Sequence, residues 1–134
     1  MTKLAMVEGI GDVYAAKLQG VGINSIEALL EKGSTPKGRQ ELAESTGISG
    51  KLILEWVNRA DLFRIKGIGE EYSDLLESAG VDTVPELAQR KAENLYQKMV
   101  ETNAEKKLVR KLPSAKQVAD WVAQAKALPR IVQY

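Results

Sequence analysis

Three features of the chain predict an all-α fold. Helix signals recur at short intervals: a hydroxyl residue able to cap a helix start, apolar residues spaced to share one face, then glycine. No β-branched run alternates with polar residues for long, so strands have no pattern to build on. Finally, one stretch occurs twice. Val7-Glu8-Gly9-Ile10-Gly11 and Ile65-Lys66-Gly67-Ile68-Gly69 share one apolar-x-Gly-Ile-Gly pattern 58 positions apart, and windows 7–30 and 65–88 are identical at seven of 24 positions. Such a repeat sets the architecture: two pseudo-equivalent double units packed together, with boundaries at 1–64 and 65–134.

Each element follows from local chemistry. The segment 11–20 carries Val13, Ala16 and Leu18 with Tyr14 and ends at Gly20 and Gly22. Ser25 is the expected N-cap of a helix holding Ile26, Leu29 and Leu30, closed by Gly33. Thr35-Pro36 opens the next, with proline at its first position, running to about Thr46-Gly47. Ser49 can cap a helix whose Leu52, Ile53, Trp56 and Val57 form one apolar face. The second repeat follows the same order: helix 70–79 ending at Gly80, then a short helix capped by Thr83 with Pro85 early in it. A helix at about 93–103 contains Leu95, Met99 and Val100, and a short basic helix at about 105–112 stops at Pro113. Ser114 with Gln117 forms a capping box for helix 115–127, which presents Val118, Trp121, Val122 and Ala125. Trp56 and Trp121 hold like places on apolar faces and are expected in the core; Tyr14 and Tyr72 share one repeat position and are expected to be packing residues with exposed hydroxyls. Residues 129–134 are expected to be either unstructured or docked.

Composition excludes several functions. The chain has no cysteine and no histidine, which removes disulfides, thiolate chemistry, the commonest general base and the commonest metal ligand. The clustered carboxylates lie on one predicted helix face, so no catalytic residue, metal site or cofactor is expected. No stretch resembles a signal sequence or reaches membrane-spanning length, so the expected compartment is the cytoplasm and no membrane partner is expected. Net charge is only +1, but it is segregated. Residues 65–105 carry four basic and nine acidic groups, whereas residues 106–134 carry seven basic groups and Asp120 alone. Segregation of this kind points to surfaces with assigned partners.

The repeated turn is itself a piece of chemistry. Glycine lets a partner approach the main chain closely, and Ile10 or Ile68 between two glycines can plug the turn into the core. The helix that follows begins with N–H groups lacking intrahelical partners, and with the helix dipole these suit a phosphate oxygen. Residues 49–80 resemble a helix-hairpin-helix motif: a helix ending at Leu62-Phe63-Arg64-Ile65, the hairpin Lys66-Gly67-Ile68-Gly69, and a second helix ending at Gly80. Residues 1–24 resemble the same motif with a shortened first helix. The stretches 79–88 and 21–30 look like degenerate second hairpins of double units. Nearly the full length thus resembles a family of double helix-hairpin-helix proteins of unknown function, with Ser34-Thr35-Pro36-Lys37-Gly38-Arg39 and the run 55–62 adding to the likeness. Helix-hairpin-helix proteins in general hold DNA through hairpin N–H groups on phosphates, without reading sequence. The resemblance implies that role for the hairpins Gly9, Ile10, Gly11 and Gly67, Ile68, Gly69, with Lys17 and Lys66 beside them.

Two expectations of function follow. In the first, the chain binds double-stranded DNA through the hairpin amides and a basic helix face made by Lys106, Lys107, Arg110 and Lys111. In the second, it is a protein-interaction scaffold in which the hairpins only shape the fold. The acidic residues beside the turns support the second: Asp12 follows the first hairpin, and Glu70, Asp74 and Glu77 form a stripe after the second. Lys37 and Arg39, flanking Gly38 near a helix start, read either as an anion site or as an ordinary polar loop.

Overall fold

The computed structural model describes residues 3–7 and 9–134. Among the described residues the regular structure is entirely helical: a 3-10 turn at Leu4–Met6 and eight α-helices. The chain divides into two compact units, Met1–Asp61 with Ile131–Tyr134, and Leu62–Arg130. Residues 131–134 therefore belong by their contacts with the first unit, although they follow the second in sequence.

The first unit contains α1 (Asp12–Gln19), α2 (Ile26–Gly33), α3 (Pro36–Thr46) and nearly all of α4 (Gly50–Leu62). Ser25 Oγ accepts from the Ala28 amide at 3.1 Å and Thr35 Oγ1 from the Gly38 amide at 3.0 Å, so both hydroxyls cap their helices as the sequence predicts. Trp56 and Val57 are buried with Leu18, Leu29 and Ile53. The corner between α2 and α3 is drawn tight: a Cβ at Gly38 would stand 1.9 Å from the Lys32 carbonyl oxygen. Only a glycine lets α3 start this close to the end of α2.

The second unit contains α5 (Glu70–Ser78), α6 (Val84–Ala88), α7 (Ala92–Lys106) and α8 (Ala115–Ala127). Its core gathers Ile65, Ile68, Leu75, Leu76, Leu95, Met99, Val118 and Trp121, with α8 packed on α6 and α7. Thr83 caps α6. Ser114 and Gln117 form the predicted capping box at 3.1 and 2.8 Å.

The sequence repeat is also a repeat of local geometry. Both α1 and α5 follow a glycine at positive φ (Gly9 +93°, Gly67 +100°) and both end near another (Gly22 +87°, Gly80 +97°). At those ends the Ile23 and Val81 amides return to the Leu18 and Leu76 carbonyls at 2.9 and 2.8 Å. Tyr14 packs on Trp56 at 5.1 Å and 57°, and Tyr72 on Trp121 at 5.3 Å and 51°.

One predicted element is absent. Residues 105–112 do not form a basic helix; α7 runs on through Lys106 and stops at Lys107, whose backbone is left-handed at φ 51°, ψ 48°. The cause is a side-chain clasp. Asn103 Oδ1 accepts from the Val109 amide at 3.0 Å, and Asn103 Nδ2 donates to the Val109 carbonyl at 3.1 Å. The clasp offers the backbone a partner outside the helix, and the buried Val109 side chain anchors the turn. Lys106, Lys107, Arg110 and Lys111 therefore do not share a helix face: Lys106 ends α7, and the other three stand exposed along the pinned loop that follows.

Candidate functional site

The two glycines of each hairpin do different jobs. Ile10 and Ile68 are buried at 3% and 4% exposure and plug each turn into its own unit. The first glycine faces tryptophan: a Cβ at Gly67 would lie 2.8 Å from Trp121 Nε1, and one at Gly9 would lie 3.4 Å from Trp56 Nε1. With φ near +100°, these positions need glycine for the fold itself. The second glycines are different. Gly11 and Gly69 are the N-caps of α1 and α5, with φ of −86° and −109° that any residue adopts. A Cβ at either would meet nothing within 4 Å. Four other helices open on Ser25, Thr35, Thr83 and Ser114, each with its hydroxyl capping the first turn. At α1 and α5 no side chain does so. The start of α7, at Lys91, also lacks a side-chain cap, but only α1 and α5 open on an uncapped glycine, with bare backbone at the N-cap.

The second hairpin is braced from behind. Gln124 on α8 pairs with Lys66 at both ends of its amide: the Lys66 N–H donates to Oε1 at 2.9 Å, and Nε2 donates to the Lys66 carbonyl at 3.1 Å. Gln124 Nε2 also donates to Asp120 at 2.9 Å, which fixes its orientation. The Lys66 N–H is thus occupied within the unit, while the side chain is exposed. Sequence reasoning missed Gln124; the one available signal was its place three residues after Trp121, on the flank of the apolar face.

The structure sorts the expected site residues into one group per unit. In the first, Gly9, Ile10 and Gly11 form the turn, and the Lys17 ammonium lies 6.0 Å from the Tyr14 ring centroid. In the second, the turn Lys66, Gly67, Ile68, Gly69 shares its unit with Lys106 at the end of α7 and the loop bearing Lys107, Arg110 and Lys111. Tyr72 joins the two. Its ring packs at a tilt against Trp121, which backs Gly67, and its hydroxyl donates to the Lys111 carbonyl at 3.1 Å. This hydroxyl is a strut holding the basic loop to the first turn of α5. Glu70 and Glu71 also lie in that turn, and Asp12 in the first turn of α1, so carboxylates stand beside both helix starts.

The alternative anion site at Lys37-Gly38-Arg39 is built otherwise. An open groove of about 530 Å³ borders Lys32, Thr35, Lys37 and Glu41. Lys32 is engaged in it by Glu41 at 2.5 Å. Arg39 is 8% exposed and donates to two main-chain carbonyls, Gly33 at 2.8 Å and Gln133 at 2.7 Å. Among the described residues no group of three or more acidic side chains is placed to hold a metal ion. None of their helices is long and apolar enough to cross a membrane.

No curated protein and no solved structure matches the chain. One family does, over residues 8–128, and it takes in both hairpins, the clasped loop and α8. With that match covering most of its length, the chain belongs to the family described as Domain of unknown function (DUF4332).

Proposed function

We propose that the two units are tandem helix-hairpin-helix elements, and that the chain is a non-catalytic module that holds duplex DNA without reading its sequence. Gly11 and Gly69 carry this reading. Nothing in the fold asks for glycine there, and the helix starts behind them lack the hydroxyl caps used elsewhere in the chain. Bare backbone at a helix start admits a phosphate oxygen close to several N–H donors. The Tyr72 strut supports the same reading, because it tethers the loop carrying Lys107, Arg110 and Lys111 to the helix whose own first turn is acidic. Phosphate contacts of this sort give affinity and register but no sequence information.

The test is fluorescence anisotropy with two duplexes of unrelated sequence at two salt concentrations. Both should bind at low salt with equal affinity and weaken together as salt rises. No binding at low salt would end the reading. A second reading, a scaffold for a basic protein partner, is favoured by Glu70 and Glu71, which already complement the α5 dipole.

A further inference from the structure

We infer that the α2–α3 corner of the first unit is a docking site for an extended peptide segment. Its occupant here is the chain's own Ile131–Tyr134, and its alternative occupant is the same segment of a second copy. Three kinds of contact define the site. Main-chain recognition comes first: the Gln133 amide donates to the Ser34 carbonyl at 2.7 Å, and Arg39 donates to the Gln133 carbonyl at 2.7 Å. Next is an apolar anchor, Val132, at 2% exposure. The third is an aromatic contact. The Tyr134 ring lies 5.9 Å over the Arg39 guanidinium, and its hydroxyl donates to Asn58 Oδ1 at 2.7 Å.

Arg39 is the organising group. Its guanidinium is held by the Gly33 carbonyl, so one arm is fixed by the fold and the other presents donors to the segment. Both contacts it offers the segment are generic to an extended backbone and an aromatic ring. Selectivity comes from the buried β-branched side chain at Val132 and from the Tyr134 hydroxyl that donates to Asn58.

Exchange with a second copy follows from where the segment sits in the chain. It docks on the unit other than the one that precedes it, beyond Pro129, and no helix includes it. A non-helical segment docked on one unit, and joined to the other through an extended stretch after a proline, is the ordinary substrate of domain swapping. The tethered copy has an effective concentration that favours the closed form in dilute solution, so exchange emerges as protein concentration rises.

Complementary full-length variants test this. Val132→Asp spoils the segment and leaves the site vacant. Arg39→Gln spoils the site and leaves a native segment free. Each should sediment as a monomer alone, and an equimolar mixture should form a 1:1 heterodimer by analytical ultracentrifugation. Circular dichroism verifies that both variants are folded. If Arg39→Gln does not fold, a synthetic Arg-Ile-Val-Gln-Tyr peptide replaces it as the donor, and it should bind Val132→Asp and raise its melting temperature. A mixture that stays monomeric to millimolar concentration, or a peptide without effect on folded Val132→Asp, would overturn the inference.

Discussion

Single residues separate what the fold needs from what a partner needs. At Gly67 a Cβ meets the Trp121 indole and the backbone is left-handed, so Gly67→Ala is expected to destabilise the chain by on the order of 2–3 kcal/mol. Urea titration measures this directly. Gly69, two residues on, has neither constraint. Gly69→Ser should leave the urea midpoint unchanged or slightly higher, because a serine N-cap is better than glycine by only a few tenths of a kcal/mol. The same hydroxyl would take an amide of the first turn away from a phosphate. Affinity for duplex DNA should therefore fall several-fold in a variant that is no less stable. Unchanged affinity would remove the second hairpin from the interface. A third residue reports on pH. Desolvation, followed by a hydrogen bond and charge from Asp82, holds the Glu86 carboxyl above its ordinary range. The folded chain then keeps a proton that the unfolded chain has lost, so ionised Glu86 opposes folding at neutral pH. That penalty disappears as pH falls to the unfolded value of about 4.3. Glu86→Gln should be more stable than the parent at pH 7, with the difference closing by about pH 4. A difference that ignores pH would mean that size and shape, not charge, are responsible.

At the scale of elements, the helices were legible and the clasped loop was not. Ser25, Thr35, Thr83 and Ser114 cap within four residues of sequence, so each signal and its structural effect lie in the same short window. The two tryptophans fell on apolar faces for the same reason. Loop 107–112 defeats a local reading because Lys106, Lys107, Arg110 and Lys111 have helical spacing, while the decision is made by Asn103 reaching six residues forward to Val109. A left-handed lysine is also an uncommon choice, and no glycine announces the stop. In the candidate site, the glycine hairpins were visible as a repeat, but the brace from Gln124 spans 58 residues and leaves no periodic trace. The tail could not be decided between free and docked, because its partners Ser34, Arg39 and Asn58 are distant in sequence. The strut makes its own prediction. Tyr72→Phe keeps the tilted ring contact with Trp121 and removes one hydrogen bond, at a cost of about 0.5–1.5 kcal/mol. Amide exchange should quicken in 107–112 while α8 stays protected. Equal exchange in parent and variant would show that Asn103 alone fixes the loop.

Over the whole molecule, charge matters more by its placement than by its sum. A net charge of +1 predicts no attraction to DNA, yet the second unit holds both an acidic helix start and four cations at the end of α7 and in the loop after it. The opposed groups make salt dependence the most informative measurement. If Lys106, Lys107, Arg110 and Lys111 each displace a counterion from duplex DNA, the log–log salt slope is about −4, at roughly −0.9 per phosphate contact. Lys107→Glu with Arg110→Glu should bring the slope to about −2 or less and weaken every duplex alike, with little effect on stability, since both side chains are exposed. Glu70→Gln with Glu71→Gln should do the reverse: tighter binding at low salt, because two carboxylates no longer oppose a phosphate at the start of α5, and some loss of helix stability, because two favourable dipole contacts are gone. Paired opposite responses would place the loop and the hairpin on one face toward DNA. If the glutamine pair instead leaves DNA affinity unchanged and abolishes capture of a basic protein, the acidic turn is the contact surface and the hairpins serve only to build it.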